Sequence, residues 1–124
     1  MSNLQNHVLV VEDDFIIAEI LCMHVEDFGL KVCGTAGTAE TAIALAQQHR
    51  PAIVLMDLRL LGEKDGVDAA NEIHTTVGSK VIFVTGSSEP ATVARIASDH
   101  PFAVLFKPVS SGKLWTSLEA AMME

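Results

Sequence analysis

Basic charge is the scarcest property of this chain. Lys and Arg total 8 against 16 acidic residues, a formal net charge of −8, and the basic residues cluster nowhere. A protein that tracks a phosphate backbone needs a basic stripe or patch, so nucleic acid is not expected as a direct partner. Tyrosine is absent altogether. The two cysteines, Cys22 and Cys33, lack metal-ligand spacing; one falls in a helical pattern and one in a strand pattern, and both read as reduced, packed thiols. No apolar run approaches the roughly 20 residues of a membrane span. The start, Met1-Ser2-Asn3-Leu4-Gln5-Asn6, has neither the charge nor the apolar stretch of a secretory leader. No membrane partner is therefore expected, and the expected location is cytoplasmic. The five histidines, His7, His24, His49, His74 and His100, are scattered and read as surface or packing residues.

What the chain does have is apolar content. Hydrophobic residues make up 49% and charged residues 19% of 124 positions, which suits one globular domain over 1–124 that can bury a core without disulfides. Strand-like and helix-like segments alternate along it. His7-Val8-Leu9-Val10-Val11 is a continuous apolar run, the mark of a strand buried on both faces. Residues 14–28 follow at helical spacing, with Ile17, Ile20, Leu21, Val25 and Phe28 on one stripe and Gly29 placed to close the helix. Leu30 to Ala36 reads as a less apolar, edge strand. Thr38 can cap an alanine-rich helix running through Ala46, which Arg50-Pro51 ends. Residues 52–56 form a third strand, 67–76 a third helix and 81–84 a fourth strand. Ser87 or Ser88 can cap a helix with Pro90 in its first turn. Residues 103–106 are the fifth strand, and Ser110 caps a last helix with Leu114, Leu118, Ala121 and Met122 on its apolar stripe; an apolar patch there around Trp115 suggests a partner surface. Five strands alternating with five helices predict an α/β fold, a doubly wound (βα)5 sandwich around a parallel sheet of order 2-1-3-4-5. No output domain is expected after the fifth helix.

In such a sheet, ligands bind beyond the carboxyl ends of the strands. Polar residues close the apolar runs there: Glu12, Asp13 and Asp14 after the first strand, Asp57 after the third, Thr85-Gly86 after the fourth and Lys107-Pro108 after the fifth. Singly, each has an ordinary explanation as a helix start, a turn or a solvated loop. Jointly, on strands that converge, they make one crevice. Crowded carboxylates repel, a divalent cation relieves the repulsion, and hard oxygen ligands favour Mg2+ or its relatives. A carboxylate can also attack phosphorus. The transferring group then needs its oxygens neutralised, which an ammonium, a hydroxyl and a metal ion would do.

These runs resemble the receiver domains of two-component response regulators, over nearly the whole chain. Val8-Leu9-Val10-Val11-Glu12-Asp13-Asp14 resembles the family's acidic pocket. Ile53-Val54-Leu55-Met56-Asp57-Leu58 resembles its phosphoacceptor strand, Val84-Thr85-Gly86 its hydroxyl position, and Phe106-Lys107-Pro108 its lysine followed by a cis peptide bond. The resemblance implies the flavodoxin-like fold, Asp57 as acceptor, Thr85 and Lys107 as its catalytic companions, and Mg2+ held by Glu12, Asp13, Asp57 and the backbone carbonyl of Arg59. It further implies a sensor histidine kinase or histidine phosphotransfer protein as donor, a downstream protein target, and no turnover beyond the domain's own phosphorylation and dephosphorylation. On this reading Thr85 moves toward the acyl phosphate and the 86–98 segment rearranges about Gly86. Arg59 and Ser87 flank the acceptor and the hydroxyl position, where they would tune hydrolysis; for Arg59 an ion pair with an acidic neighbour is an equal alternative.

The chain departs from the family pattern at two places. The loop after Asp57 lacks the usual proline. Val104 stands where an aromatic switch residue is customary, and the run Phe83-Val84-Thr85-Gly86 resembles a variant group of single-domain receivers named for a Phe-Ala-Thr-Gly run. Two other classes compete. An aspartyl-phosphate phosphatase would carry a second aspartate two residues after the nucleophile, where this chain has Arg59. A pseudo-receiver that only binds partners would not need the intact set of Glu12, Asp13, Asp57, Thr85 and Lys107.

Overall fold

The computed structural model describes residues 5–86, 90–98 and 101–123. Five parallel strands, β1 (Gln5–Val11), β2 (Lys31–Ala36), β3 (Pro51–Asp57), β4 (Lys80–Thr85) and β5 (Ala103–Phe106), alternate with α1 (Phe15–Phe28), α2 (Ala39–His49), α3 (Gly66–Thr76), α4 (Pro90–Ala97) and α5 (Ser111–Met123). The sheet order is β2-β1-β3-β4-β5, as the alternation predicts. The expected strands 52–56 and 81–84 each extend by one residue at both ends.

Alternation along the central strands divides the core. Val8, Val10, Ile53, Leu55 and Ile82 face α1 and α5 with Ala18, Leu21, Val25, Leu114 and Leu118. Leu9, Val11, Val54, Met56, Val81 and Phe83 face the other way, toward Ala42, Ala46, Ala70, Ile73 and Ile96 of α2, α3 and α4. Neighbours in β1, β3 and β4 pack both faces, so the central stretches 8–11, 53–56 and 81–84 are apolar at successive positions instead of at every second one. Each such buried side chain contributes about 1.5–3 kcal/mol of transfer free energy. β2 lies at one edge of the sheet and is only partly buried, as its mixed composition predicts.

Local chemistry sets the helix ends. Asp14 accepts hydrogen bonds from the backbone N–H groups of Ile16 and Ile17 at the start of α1, and Gly29 closes that helix at φ 106°, a left-handed conformation that costs glycine no Cβ clash. Thr38 caps α2, as expected. Arg50 adopts the left-handed conformation after it. Ser110 accepts from the N–H of Lys113. Residues 87–89, which include Ser87 and Ser88, lie outside the described residues, as does His100.

Two expectations about helix faces need correction. Ile20 is 45% exposed, and the face of α1 that packs is Ala18, Leu21 and Val25 flanked by Ile17, Cys22 and Phe28. Ile20 lies about 100° round the helix from Leu21 and so falls at the edge of that face. Trp115 is no free surface patch: it packs on the core, and its indole N–H donates to the His24 carbonyl at 2.8 Å, joining α5 to α1. Both cysteines are free thiols, partly buried, and burial pushes each above its ordinary pKa. Among the described residues, no helix is long and apolar enough to cross a membrane.

Candidate functional site

The carboxyl ends of β1, β3, β4 and β5 meet at one edge of the sheet, and the parallel register fixes which side chains meet there. Val11 pairs with Met56, Asp57 with Val84, and Thr85 with Phe106. The residues that follow or end these pairs are therefore Glu12, Asp57, Thr85 and Lys107, side by side. Glu12, Asp57 and Thr85 are buried, at 5%, 6% and 2% exposure, whereas Asp13 is exposed. The sequence places apolar runs immediately before each of these residues, and those runs bury the strand ends with the polar groups attached.

Carboxylate oxygens of Glu12, Asp13 and Asp57 all lie within 4.8 Å of one another. Lys107 lies between two of them: its Nζ is 2.7 Å from Glu12 Oε1 and 3.3 Å from Asp57 Oδ2. Burial alone would lower the Lys107 pKa, but hydrogen bonds and charge from Glu12 and Asp57 outweigh it and raise the value above 10.5, so the ammonium stays charged. The other oxygen of Glu12 accepts the backbone N–H of Asp14 at 3.1 Å. At Asp13 the corresponding relief, a backbone hydrogen bond and the charge of Lys107, is outweighed. Partial burial, its hydrogen bond with Glu12 and the negative charge of Glu12 push its carboxyl above 3.8. One ammonium thus serves three crowded carboxylates, and the remaining repulsion suits a hard divalent cation. The donor set is oxygen only, with none of the four described histidines in it, which favours Mg2+ over softer metals.

The backbone around the pocket is closely fitted. The Lys107 N–H donates to the Thr85 carbonyl at 2.8 Å, and the Lys107–Pro108 bond is cis, as the resemblance implies. Gly37, after β2, backs the pocket: a Cβ there would meet the Asp13 Cα at 3.6 Å. The loop after Asp57 is pinned by the Leu61 N–H, which donates to the Gly37 carbonyl at 3.1 Å. Gly66 closes that loop against the acceptor strand, where a Cβ would fall 2.0 Å from the Asp57 carbonyl oxygen. No other residue fits there, which explains the glycine. Arg59 stands two residues past the end of β3, exposed, in this loop. Of the expected site residues, Glu12, Asp13, Asp57 and Lys107 come together through their side chains, and Thr85 ends the strand beside them.

Sequence reasoning missed the start of α3. Asp65 accepts from the N–H groups of Val67 and Asp68, while the Asp68 carboxylate accepts from the Asp65 N–H, a capping box. The Asp65-Gly66-Val67-Asp68 spacing carries that signal, with aspartate in the place usually taken by glutamate.

Comparison with known proteins agrees with this geometry. The sequence profile described as Response regulator receiver domain matches residues 8–119. The transcriptional regulatory protein PdtaR of Mycobacterium tuberculosis is 32% identical over 115 residues, 93% of this chain and 56% of PdtaR, so the chain spans about half the length of that relative. Among solved structures, the signal receiver domain of a modulated diguanylate cyclase from Desulfovibrio desulfuricans superimposes with a TM-score of 0.89 at 35% identity, covering 94% of this chain and 93% of that one. The PhyR response regulator receiver domain of Erythrobacter litoralis gives a TM-score of 0.85 at 27% identity, covering 97% and 92%.

Proposed function

The chain belongs to the response regulator receiver domain family, and from that premise we propose that Asp57 is its phosphoryl acceptor, with Glu12, Asp13, Thr85 and Lys107 as the working set around it. The observation that carries this reading is the Lys107 ammonium set between Glu12 and Asp57, with the Asp13 carboxylate inside the same 4.8 Å cluster. An Asp57 oxygen attacks phosphorus, the bond from phosphorus to the donor's leaving atom breaks, and for a phosphohistidine the imidazole nitrogen leaves with the bonding pair and takes up a proton. Lys107 neutralises charge on one phosphoryl oxygen, and the Thr85 hydroxyl donates to another. Asp13, Asp57 and the Arg59 carbonyl are the groups that would hold Mg2+, with Glu12 orienting its water. When bound, the ion would neutralise phosphoryl oxygens and relieve the carboxylate repulsion.

Residues 1–124 are read as one receiver unit that works on its own aspartate and not on an external substrate. A sensor histidine kinase or a histidine phosphotransfer protein is the donor that membership of this family implies. The rim of the pocket offers it a surface: α1 begins two residues past Asp13 and shows Phe15 and Ile16 to solvent at 77% and 69% exposure, with Ile20 and Met23 also exposed farther along. The output is a protein target. Its surface is the side made by α4, β5 and α5, where Val93 and Phe106 are exposed large apolar residues. Arg59 is placed to tune hydrolysis of the acyl phosphate; Ser87, given the same role from sequence, lies outside the described residues.

The test is the intact mass of wild-type and Asp57→Asn protein after incubation with acetyl phosphate, with and without Mg2+. One phosphoryl adduct, on wild type only and only with Mg2+, is the expected result. No adduct on wild type, together with no binding of beryllofluoride, would leave a pseudo-receiver that acts only by binding.

A further inference from the structure

α4 is thinly attached. Of its eight residues only Ile96 is buried. The neighbouring Arg95 reaches in a different direction, to the first turn of α3. Both of its terminal nitrogens pair with Asp65, and Nη2 also lies 3.3 Å from Asp68 Oδ1. These two carboxylates are already committed as the capping box of α3. Asp65 Oδ1 accepts from Val67 and Asp68 at 3.0 and 3.1 Å, and Asp68 Oδ2 accepts from the Asp65 N–H at 3.1 Å. Arg95 therefore grips a turn whose geometry is fixed from both sides.

That turn leads straight to Asp57. Gly66 follows Asp65 in the chain, donates its N–H to the Leu58 carbonyl at 2.8 Å, and rests so closely on β3 that a Cβ would overlap the Asp57 carbonyl oxygen. A displacement of Asp65 moves Gly66, and Gly66 has no slack against Asp57 and Leu58. Contacts and bonds run without a gap from the guanidinium on α4 through Asp65 and Gly66 to the acceptor backbone. A bidentate guanidinium–carboxylate pair also fixes direction as well as distance.

We propose that Arg95 is a positioning residue that ties the placement of α4 to the acceptor turn, so that occupation of Asp57 and the setting of α4 respond to each other through Asp65 and Gly66. Coupling of this kind is reciprocal: whatever the acceptor's ligand does to α4, fixing α4 does to the ligand's affinity. The inference rests on the reading of Asp57 as the acceptor.

Amide hydrogen exchange across residues 90–97 of the full chain, with and without beryllofluoride and Mg2+, tests it. In wild type, beryllofluoride changes the exchange of the α4 amides. In Arg95→Gln, beryllofluoride still binds, but the α4 response shrinks by about three-fold or more, within the range of a single well-formed ion pair. Arg95→Lys, which keeps the charge without the fork, recovers part of it. Asp65→Asn, which can still cap α3 but leaves the Asp68 contact, loses most of the same response, and in the double variant the losses fall short of their sum because both changes break one link. An α4 response in Arg95→Gln as large as in wild type would overturn the proposal. So would a wild type that binds beryllofluoride with no change in α4, or losses that simply add in the double variant. Failure of wild type to bind beryllofluoride at all removes the acceptor reading instead, and the coupling with it.

Discussion

Two carboxylates on either side of the acceptor titrate in opposite directions. Asp13, in the pocket, is held above 3.8 by partial burial and by Glu12. At Asp65, in the α3 turn, burial also works upward, but hydrogen bonds from Arg95 and from the N–H groups of Asp68 and Val67 prevail and hold it below 3.8. The pocket stores repulsion that a cation can relieve; the turn has its charge already satisfied. The surroundings differ in the same sense. The pocket stands on β1, β3 and β4, whose residues from Val8 to Val11, Ile53 to Met56 and Ile82 to Val84 are buried. The Arg95 side stands on an eight-residue helix with one buried side chain, next to a β5 in which every residue is partly or well exposed. Chemistry needs groups held in place, whereas a signal needs an element that little free energy can move.

The largest effect that separates these regions is on stability. Phe83 is fully buried in β4, and Phe83→Ala should cost about 3–5 kcal/mol through lost transfer energy and the cavity left behind. Val93 on α4 is 37% exposed, and Val93→Ala should change stability by no more than about 0.5 kcal/mol. Urea unfolding of the two variants reads both. Similar losses at the two sites would show that α4 is packed as firmly as the centre.

Why one region was legible in the sequence and the other was not follows from the same physics. Glu12, Asp57 and Thr85 each terminate or directly follow a run that only a buried strand can use, as with Met56-Asp57 and Val84-Thr85, so position along the chain reports position in the fold. The alternation of elements points to a doubly wound sheet because parallel strands need crossovers of one hand, and the strand order follows from likeness to the flavodoxin-like arrangement. The Arg95–Asp65 pair has no such local mark. Its partners are 30 residues apart on two helices, and their meeting depends on how α4 lies against α3. Ile20 and Leu21 make the same point within one helix. Spacing places both on one apolar stripe, but Leu21 packs in the core with Ala18 and Val25 while Ile20 is left exposed, which the tertiary packing settles.

The next effect in size bears on the pocket. Lys107→Gln leaves the buried Glu12 carboxylate without its ammonium partner. A loss of about 1–3 kcal/mol is expected from the unpaired group. Adduct formation from acetyl phosphate should slow on the order of 100-fold, the usual consequence of removing one preorganised donor from a charge-developing site. Unfolding curves and the time course of the phosphoryl mass adduct measure the two separately. Unchanged adduct formation would reduce Lys107 to a structural role.

The smallest effect is the pH dependence of the turn, and its sign is what matters. Asp65 titrates below its ordinary 3.8 in the folded protein. A carboxyl depressed by folding binds fewer protons in the native state, so its stabilisation is complete above 3.8 and is lost as pH falls through the folded value. The stability difference between wild type and Asp65→Asn should therefore be constant near neutrality and shrink only on the acid side of 3.8. Asp13 runs the other way: its pKa is raised, so the advantage of its protonated form is present below 3.8 and disappears as pH rises through the folded value. Asp13→Asn should accordingly gain on wild type with rising pH in the absence of Mg2+, over the window where Asp65→Asn has already levelled off. Denaturation series on the two variants, read against pH, would show curves of opposite slope. Parallel curves would mean that the pocket holds no more repulsion than the turn, and would remove the electrostatic reason for a cation there.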